Sequence, residues 1–240
     1  MNNYKSIYVP DNCSHVKLDI GLSMTAPNSN KWLIKEPNLL VLGYEPVIEN
    51  CKNILSINNG KSHPFPDFIL EKKFLDEKRF QLFNYAIENV DNERIGNMYV
   101  NRNDTGTSSL YSHNQTTLGP IKELQQTNII SLKMIFDHFP WEKFDYIDYI
   151  KIDAQGSDLN ILKSAGDYLK EKVVYVTAEP DGHYYIGAES NTEENITNYM
   201  ESQNFERINH PLTEDPTYIN KKFMHKKNDI FIHQSGPWPC

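Results

Sequence analysis

The stretch IDYIKIDAQGSDLNIL, residues 147–162, decides the fold. An apolar run ends abruptly on Lys151 and Asp153, Gly156 follows, and a helical pattern opens at Ser157 and Asp158. That is a strand, a turn and a helix, with an acid at the carboxyl end of the strand. In open α/β sheets ligands bind at that edge. Two further acids stand in the same context upstream, Asp19 in VKLDIG and Glu45 in VLGYEP. Three strand-end acids in one chain point to a ligand that carries a nucleoside.

Working outward, apolar runs and helical patterns alternate. Val16 to Ile20, Leu39 to Tyr44, Phe80 to Ile87, Tyr146 to Ile152 and Val173 to Ala178 read as strands, with Asn97 to Val100 as a short extra one. Asn128 to Ile130 reads as extended. Helices are expected at Trp32 to Glu36, Val47 to Ile54, Asp67 to Lys78, Ser131 to His138, Asp158 to Lys170 and Thr192 to Ser202, with Ser131 as N-cap. Residues 101–120 carry Gly106, Gly119 and Pro120 among polar side chains and read as a long loop. In the tail, Phe205 to Asn209 and Asp229 to His233 are the expected strands of a closing antiparallel hairpin, and DPTYIN (215–220) reads as a turn nucleated by Asp215-Pro216, with a lip of the substrate site as the alternative. Strand alternating with helix predicts a doubly wound α/β fold, mostly parallel. Residues 1–240 are expected to form a single domain, with a core at about 14–182 and a substrate-side helix and hairpin over 183–240.

Composition narrows the function classes. The formal charge of −8 argues against a nucleic-acid backbone as principal partner. Cys13, Cys51 and Cys240 form no C-x-x-C pair, which fits neither a disulfide framework nor a zinc cluster. The amino terminus lacks the apolar core of a signal peptide, and no apolar run approaches the roughly 18 residues that span a bilayer. The expectation is a soluble, cytoplasmic protein, with its oligomeric state, a dimer included, left open.

The first strand-turn unit carries only Gly21, where a dinucleotide fold wants G-x-G-x-x-G so that bare backbone approaches a pyrophosphate. Glu45 lies about 25 positions further on, close to the spacing at which an acid accepts ribose hydroxyls. A nucleoside without a phosphate cradle points to S-adenosylmethionine. Each acid singly also reads as local turn geometry, since such turns use Asp and Gly.

The segments VKLDIGLSMTAPNSNKWL (16–33), LVLGYEP (40–46), YAI (85–87), GTSSLY (106–111), YIKIDAQGSDLNILKSAG (149–166) and VVYVTAEPDG (173–182) together resemble the FkbM family of S-adenosylmethionine-dependent methyltransferases. Leu22-Ser23-Met24 departs from the D-x-G-A-N-x-G pattern of many members, whose final glycine is absent here. The resemblance implies a class I, Rossmann-like fold with a mostly parallel seven-stranded sheet flanked by helices and an antiparallel C-terminal hairpin. It also implies that Asp19, Gly21 and Ser23 line the amino-acid end of the cofactor. Glu45 would accept the ribose hydroxyls, with Pro46 shaping its turn. Ala86 and Ile87 would lie beside the adenine, with Asn84 or Glu88 at its polar edge. Asp153 would face the methionine moiety and the methyl group, and Ser108 and Ser109 would close the pocket.

Methyl transfer to an alcohol needs in-line alignment and a base for the acceptor proton. Asp153, Glu179 and His183 are the candidate bases. Asp153 alternatively only orients the cofactor, Glu179 only fixes the turn at Pro180, and a lone loop histidine is often structural. The same acids with His183 contain donors that suit a divalent ion, but no tight ligand motif is present and no metal site is assigned. Trp141 and the Tyr184-Tyr185 pair have the chemistry to stack on a sugar face, or simply pack. The expected acceptor is a carbohydrate hydroxyl, because the resemblance leans that way. Another small-molecule hydroxyl, polyketide or phenolic, and a non-catalytic binding module are the alternatives.

Overall fold

A computed structural model of the chain describes residues 2–56 and 69–234. In chain order the elements are β1 (His15–Ile20), α1 (Pro27–Lys35), β2 (Leu39–Tyr44), α2 (Ile48–Ser56), α3 (Lys72–Asp76), β3 (Phe80–Phe83), β4 (Ala86–Ile87) and β5 (Arg94–Asn101). Next come β6 (Ser112–His113), α4 (Gln115–Leu118), β7 (Ile121–Ile130), α5 (Leu132–Phe136), β8 (Ile147–Ile152), α6 (Asp158–Ser164) and α7 (Asp167–Lys172). The chain continues through β9 (Val173–Ala178), β10 (Tyr185–Ile186), α8 (Glu193–Ser202), β11 (Phe205–Ile208) and β12 (Thr217–Asn220).

Seven strands form one sheet in the order β11-β12-β9-β8-β1-β2-β3. The pairs from β9 through β3 are parallel, and β12 runs antiparallel to both of its neighbours. The period of two along each strand divides the core into two layers. Leu40, Leu42 and Tyr44 of β2 join one cluster with Val16, Leu18 and Ile20 of β1, while Leu39 and Val41 join Trp32 and Leu33 of α1 on the other face. Lys17 and Asp19 alternate with those β1 residues and are buried on the α1 side. Lys151 alternates in the same way in β8, and register pairs it with Asp19.

The expected closing hairpin exists with a different second strand. Phe205–Ile208 pairs with Thr217–Asn220, so DPTYIN is a turn for only its first two residues. All four residues of TYIN are buried between β9 and β11, which suits the β-branched and aromatic Thr217, Tyr218 and Ile219, while Asn220 donates to the Lys170 and Val173 carbonyls. Asp229 to His233 is not a strand. It crosses the α1 face, where the buried Lys17 ammonium holds the Phe231 carbonyl and Trp32 Nε1 donates to the His233 carbonyl at 2.7 Å.

Three other boundaries differ from expectation. The run Phe80 to Ile87 divides: β3 stays in the main sheet and β4 joins a second sheet ordered β4-β7-β5. The extended segments at Asn97 to Val100 and Asn128 to Ile130 are parts of the long β5–β7 antiparallel ladder, whose polar outer positions hide its length in the sequence. The helix after β8 breaks at Gly166, with φ +57, into α6 and α7. Asp67 and Phe68 of the expected charged helix lie outside the described residues; α3 is the part described. Ser131 and Thr192 cap α5 and α8, accepting from the Met134 and Asn195 amides. No helix of the described residues is long and apolar enough to cross a membrane.

Candidate active site

The carboxyl ends of β1, β2 and β8 meet at Gly21. Its amide donates to the Tyr44 carbonyl at 3.0 Å, and the Asp153 amide donates to the Ile20 carbonyl at 3.0 Å. A Cβ at Gly21 would stand 1.8 Å from the Asp153 main-chain oxygen, and φ there is +81. Only glycine therefore lets the loop after β1 pass so close to the end of β8.

A cavity of about 540 Å³ opens above this crossing. Ile20, Gly21, Ser23, Glu45 and Pro46 line one side, and Tyr85, Ala86, Ile87, Met98 and Leu110 supply an apolar wall. Asp153, Gln155, Ser108 and Gly106 complete it. A groove of about 1250 Å³ adjoins it, lined by Asn28, Asp104, Thr107, Lys151, Glu179, Asp215 and Gln234. Gly21, Ser23, Gly106, Asp153 and Gln155 belong to both spaces.

Glu45 is 3% exposed, and its carboxylate accepts from the Val47 amide at 2.8 Å and the Leu22 amide at 3.2 Å. Burial pushes its pKa up to about 7, against the hydrogen bonds of Val47, Asn50, Leu22 and Ser23. The acid thus ties the loops after β1 and β2 together while lining the cavity. Asn84 is turned away from that role: its amide donates to the Glu45 and Pro46 carbonyls at 2.9 and 3.0 Å and lines neither space. Glu88 likewise sits behind the wall, accepting from Ser157 Oγ at 3.0 Å and the Tyr111 hydroxyl at 3.3 Å.

Asp19 also lies beneath the cavity and outside its lining. One carboxylate oxygen accepts from Ser29 Oγ at 2.6 Å; the other stands 3.8 Å from Lys151 Nζ with no hydrogen bond. Burial raises its pKa, and Lys151 opposes the rise. Lys151 Nζ donates to the Gly21 carbonyl at 2.9 Å and to Asp153 at 3.1 Å. The lysine therefore braces both strand-end acids from below.

Above it, Gln155 organises the acids. Its amide nitrogen donates to Asp153 at 2.6 Å and to Glu179 at 2.9 Å, and its amide oxygen accepts from the Tyr185 hydroxyl. Its carbonyl accepts from Ser109 Oγ at 2.6 Å, which ties the 102–120 loop down over the site. Burial works against ionising Asp153, but the Lys151 charge and the bonds from Glu179, Lys151 and Gln155 hold its carboxyl below the usual range. Burial and then the Asp153 charge push Glu179 up to about 11. Ionisation of the pair is therefore favoured at Asp153 and opposed at Glu179.

His183 is not brought to this place. It is exposed on a 3₁₀ turn, Gly182–Tyr184, its ring centroid 3.8 Å from that of Tyr184, and it lines neither space. Trp141 is a packing residue, stacked on Tyr168 at 5.8 Å with Nε1 bonded to the Phe136 carbonyl. Tyr185 is buried as the partner of Gln155, and Tyr184 is 40% exposed. Ser108 lines the cavity with its hydroxyl accepting from the Asn101 amide at 3.1 Å. No group of three or more His, Cys, Asp or Glu side chains among the described residues is arranged to hold a metal ion.

Lys151 and Gln155 are the site residues without an assigned role in the sequence reading. The available signal was their place: a lysine inside an otherwise apolar strand and a long amide directly before Gly156. Gln155 adopts φ +53, uncommon for a side chain other than glycine or asparagine, and the backbone angle is invisible in the sequence.

A cavity at the carboxyl edge of a mostly parallel sheet, walled by strand-end acids, defines a small-molecule site of the α/β kind. The methyltransferase FkbM domain matches residues 34–207, well over half of the chain, and the protein belongs to that family. The match takes in Glu45, Asp153, Gln155 and Glu179, whereas Asp19, Gly21 and Ser23 precede it. Comparison with curated proteins and with solved structures found no match.

Proposed function

We propose that the protein is an S-adenosylmethionine-dependent O-methyltransferase acting on a hydroxyl of a sugar or glycan. The observation that carries this reading is the continuity of cavity and groove through Gly21, Ser23, Gly106, Asp153 and Gln155. A donor seated in the enclosed space and an acceptor in the open one meet at Asp153.

The donor set fits the cofactor. Glu45 is the acid for the ribose hydroxyls, and Tyr85, Ala86, Ile87, Met98 and Leu110 form an apolar berth for the adenine. Gly21 and Ser23 border the methionine end, with Asp19 and Lys151 supporting that border from beneath. S-adenosylmethionine supplies a methyl group on a sulfonium, a leaving group that needs no protein acid. The chain's task is then to align an acceptor oxygen and receive its proton. Asp153 is the anion at the junction and takes that proton. Lys151 and Gln155 fix the orientation of its two oxygens, and Glu179 keeps its own proton. His183, outside both spaces, has no part in this scheme.

The groove supports a polyhydroxylated acceptor. Its polar lining consists of amides, hydroxyls, carboxylates and the Lys151 ammonium, and none of its described lining residues is aromatic, which disfavours a flat phenolic ring. Titration calorimetry with S-adenosylhomocysteine tests the cofactor, with micromolar binding expected. A screen of neutral sugars, polyketide alcohols and phenols for methyl incorporation tests the acceptor. Absence of S-adenosylhomocysteine binding would reject the reading, and transfer to phenols alone would replace its acceptor.

A further inference from the structure

The groove beside the cofactor cavity carries more negative charge than the proton transfer needs, and this bears on the acceptor. Four carboxyl groups line it: Asp104, Asp153, Glu179 and Asp215. Two are accounted for, since Asp153 is paired with Lys151 and ionisation of Glu179 is opposed by burial and by the Asp153 charge. Asp104 and Asp215 are in no ion pair among the described residues; burial raises the Asp215 carboxyl, and the Gln234 hydrogen bond and the Lys151 charge oppose that rise. The sole cationic side chain among the described lining residues is Lys151, 2% exposed and already bonded to the Gly21 carbonyl and Asp153.

Both unpaired acids are held in place. Asp104, on the loop between β5 and β6, accepts from the Gly106 amide at 2.8 Å through one oxygen. Asp215, in the turn before β12, takes the Gln234 amide on one oxygen, while its own main-chain amide donates to the Gln234 side-chain oxygen at 3.0 Å. Each carboxylate keeps acceptor capacity for a further donor. They stand on separate elements, one on the loop between β5 and β6 and one beside the carboxyl end of β9.

We infer that the acceptor is an amine-bearing, polyhydroxylated compound, an amino sugar or a glycan with free amino groups, and that phosphorylated and carboxylated acceptors are rejected. The inference rests on the methyltransfer reading above. An ammonium donates to Asp215 and Asp104, whereas a phosphate or carboxylate meets like charge with no free cation among the described lining residues to offset it. The same two carboxylates keep the amine protonated, because a neighbouring negative charge favours its charged form. A protonated amine has no lone pair to methylate, so transfer is directed to the hydroxyl at Asp153.

The test uses the full chain with S-adenosylhomocysteine bound and four probes, glucosamine, methyl glucoside, glucose 6-phosphate and glucuronate, each titrated by ligand-observed NMR. Glucosamine is expected to bind about tenfold more tightly than methyl glucoside, and the two anions more weakly still. Asp215→Asn and Asp104→Asn, which keep the oxygen that accepts locally, are each expected to lower the glucosamine preference about threefold. Equal binding of glucose 6-phosphate and glucosamine, no response to any probe, or an unchanged preference in both variants would overturn the inference alone. Failure of S-adenosylhomocysteine to bind would overturn the methyltransfer reading and this inference with it.

Discussion

A side-chain carbon on Gly21 would fall 1.8 Å from the main-chain oxygen of Asp153, so the two strand-end turns that make the site are in backbone contact. Gly21→Ala therefore forces β1 and β8 apart at their carboxyl ends and also strains a residue with φ +81. A loss of roughly 3 kcal/mol is expected, at the upper end of ordinary single substitutions. For a chain of this size that lowers Tm by roughly 6–12 °C. Gly166→Ala is the control: φ is +57 but no atom lies within 4 Å of the added carbon, so only backbone strain of about 1–2 kcal/mol applies. Thermal unfolding of both variants checks the difference, and equal losses would contradict the close approach.

Glu45 gives the proposed cofactor site a pH dependence. Its carboxyl rises from the ordinary 4.5 to about 7 because folding buries it. The native state therefore holds a proton that the unfolded chain releases between those values, and the contribution of Glu45 to stability falls as pH rises from about 4.5 to 7. The full effect is on the order of 3 kcal/mol without bound cofactor. Ribose hydroxyls need the ionised form as acceptor, so S-adenosylhomocysteine affinity should rise between about pH 6 and 8. Glu45→Gln should flatten both trends, and calorimetry across that range with urea melts at matching pH provides the check. An unchanged affinity profile in the variant would remove Glu45 from the ribose role.

The sequence made the central strands legible because their residues are buried on both faces and read as unbroken apolar runs, as in LLVLGY and VVYVTA. The β5–β7 ladder was not legible at its true length, since exposed positions such as Leu124 and Lys122 alternate too irregularly to mark a strand. DIFIH is more apolar than TYIN, so hydropathy alone favours it as the closing strand. Tertiary contacts decided otherwise: Lys17 and Trp32 anchor DIFIH from β1 and α1, and Thr217 matches the Thr177 hydroxyl in β9 at 2.8 Å. For the cavity, the strand ends marked Glu45 and Asp153, and both line it. Hydrogen-bond direction could not be read, so Asn84, committed to the Glu45 turn, looked as available as any polar residue.

Asp153 and Glu179 are coupled carboxyls, with ionisation favoured at Asp153 and opposed at Glu179, and their substitutions should therefore differ. Asp153→Asn removes the anion at the junction and is expected to lower kcat by roughly 10²–10⁴, the range for loss of a general base. Glu179→Gln replaces a protonated acid with an amide that still donates toward Asp153, and a loss within about tenfold is expected. Single-turnover methyl transfer separates these from binding effects. Greater damage from the Glu179 change than from the Asp153 change would move the base to Glu179.

Gln155 holds its place at the cost of an unfavourable backbone, φ +53, and its amide joins Asp153, Glu179 and Tyr185. Gln155→Gly relieves the backbone by roughly 1 kcal/mol. It leaves the Tyr185 hydroxyl, on a residue 2% exposed, without one partner, although the bond to the Thr107 carbonyl at 3.2 Å remains. These terms nearly cancel, and Tm should move by no more than about 3 °C. Activity should behave differently. With one donor to Asp153 removed, the carboxylate turns more freely and its pKa rises, because a hydrogen bond to the charged form is gone. We expect kcat to fall roughly tenfold with the acidic limb of the kcat/KM profile shifted upward, while S-adenosylhomocysteine affinity stays within about twofold. Thermal melts, calorimetry and the pH–rate profile together read these outcomes. A fall in Tm with an unmoved acidic limb would make Gln155 a structural residue only, and Asp153 would then owe its ionisation to Lys151 and Glu179.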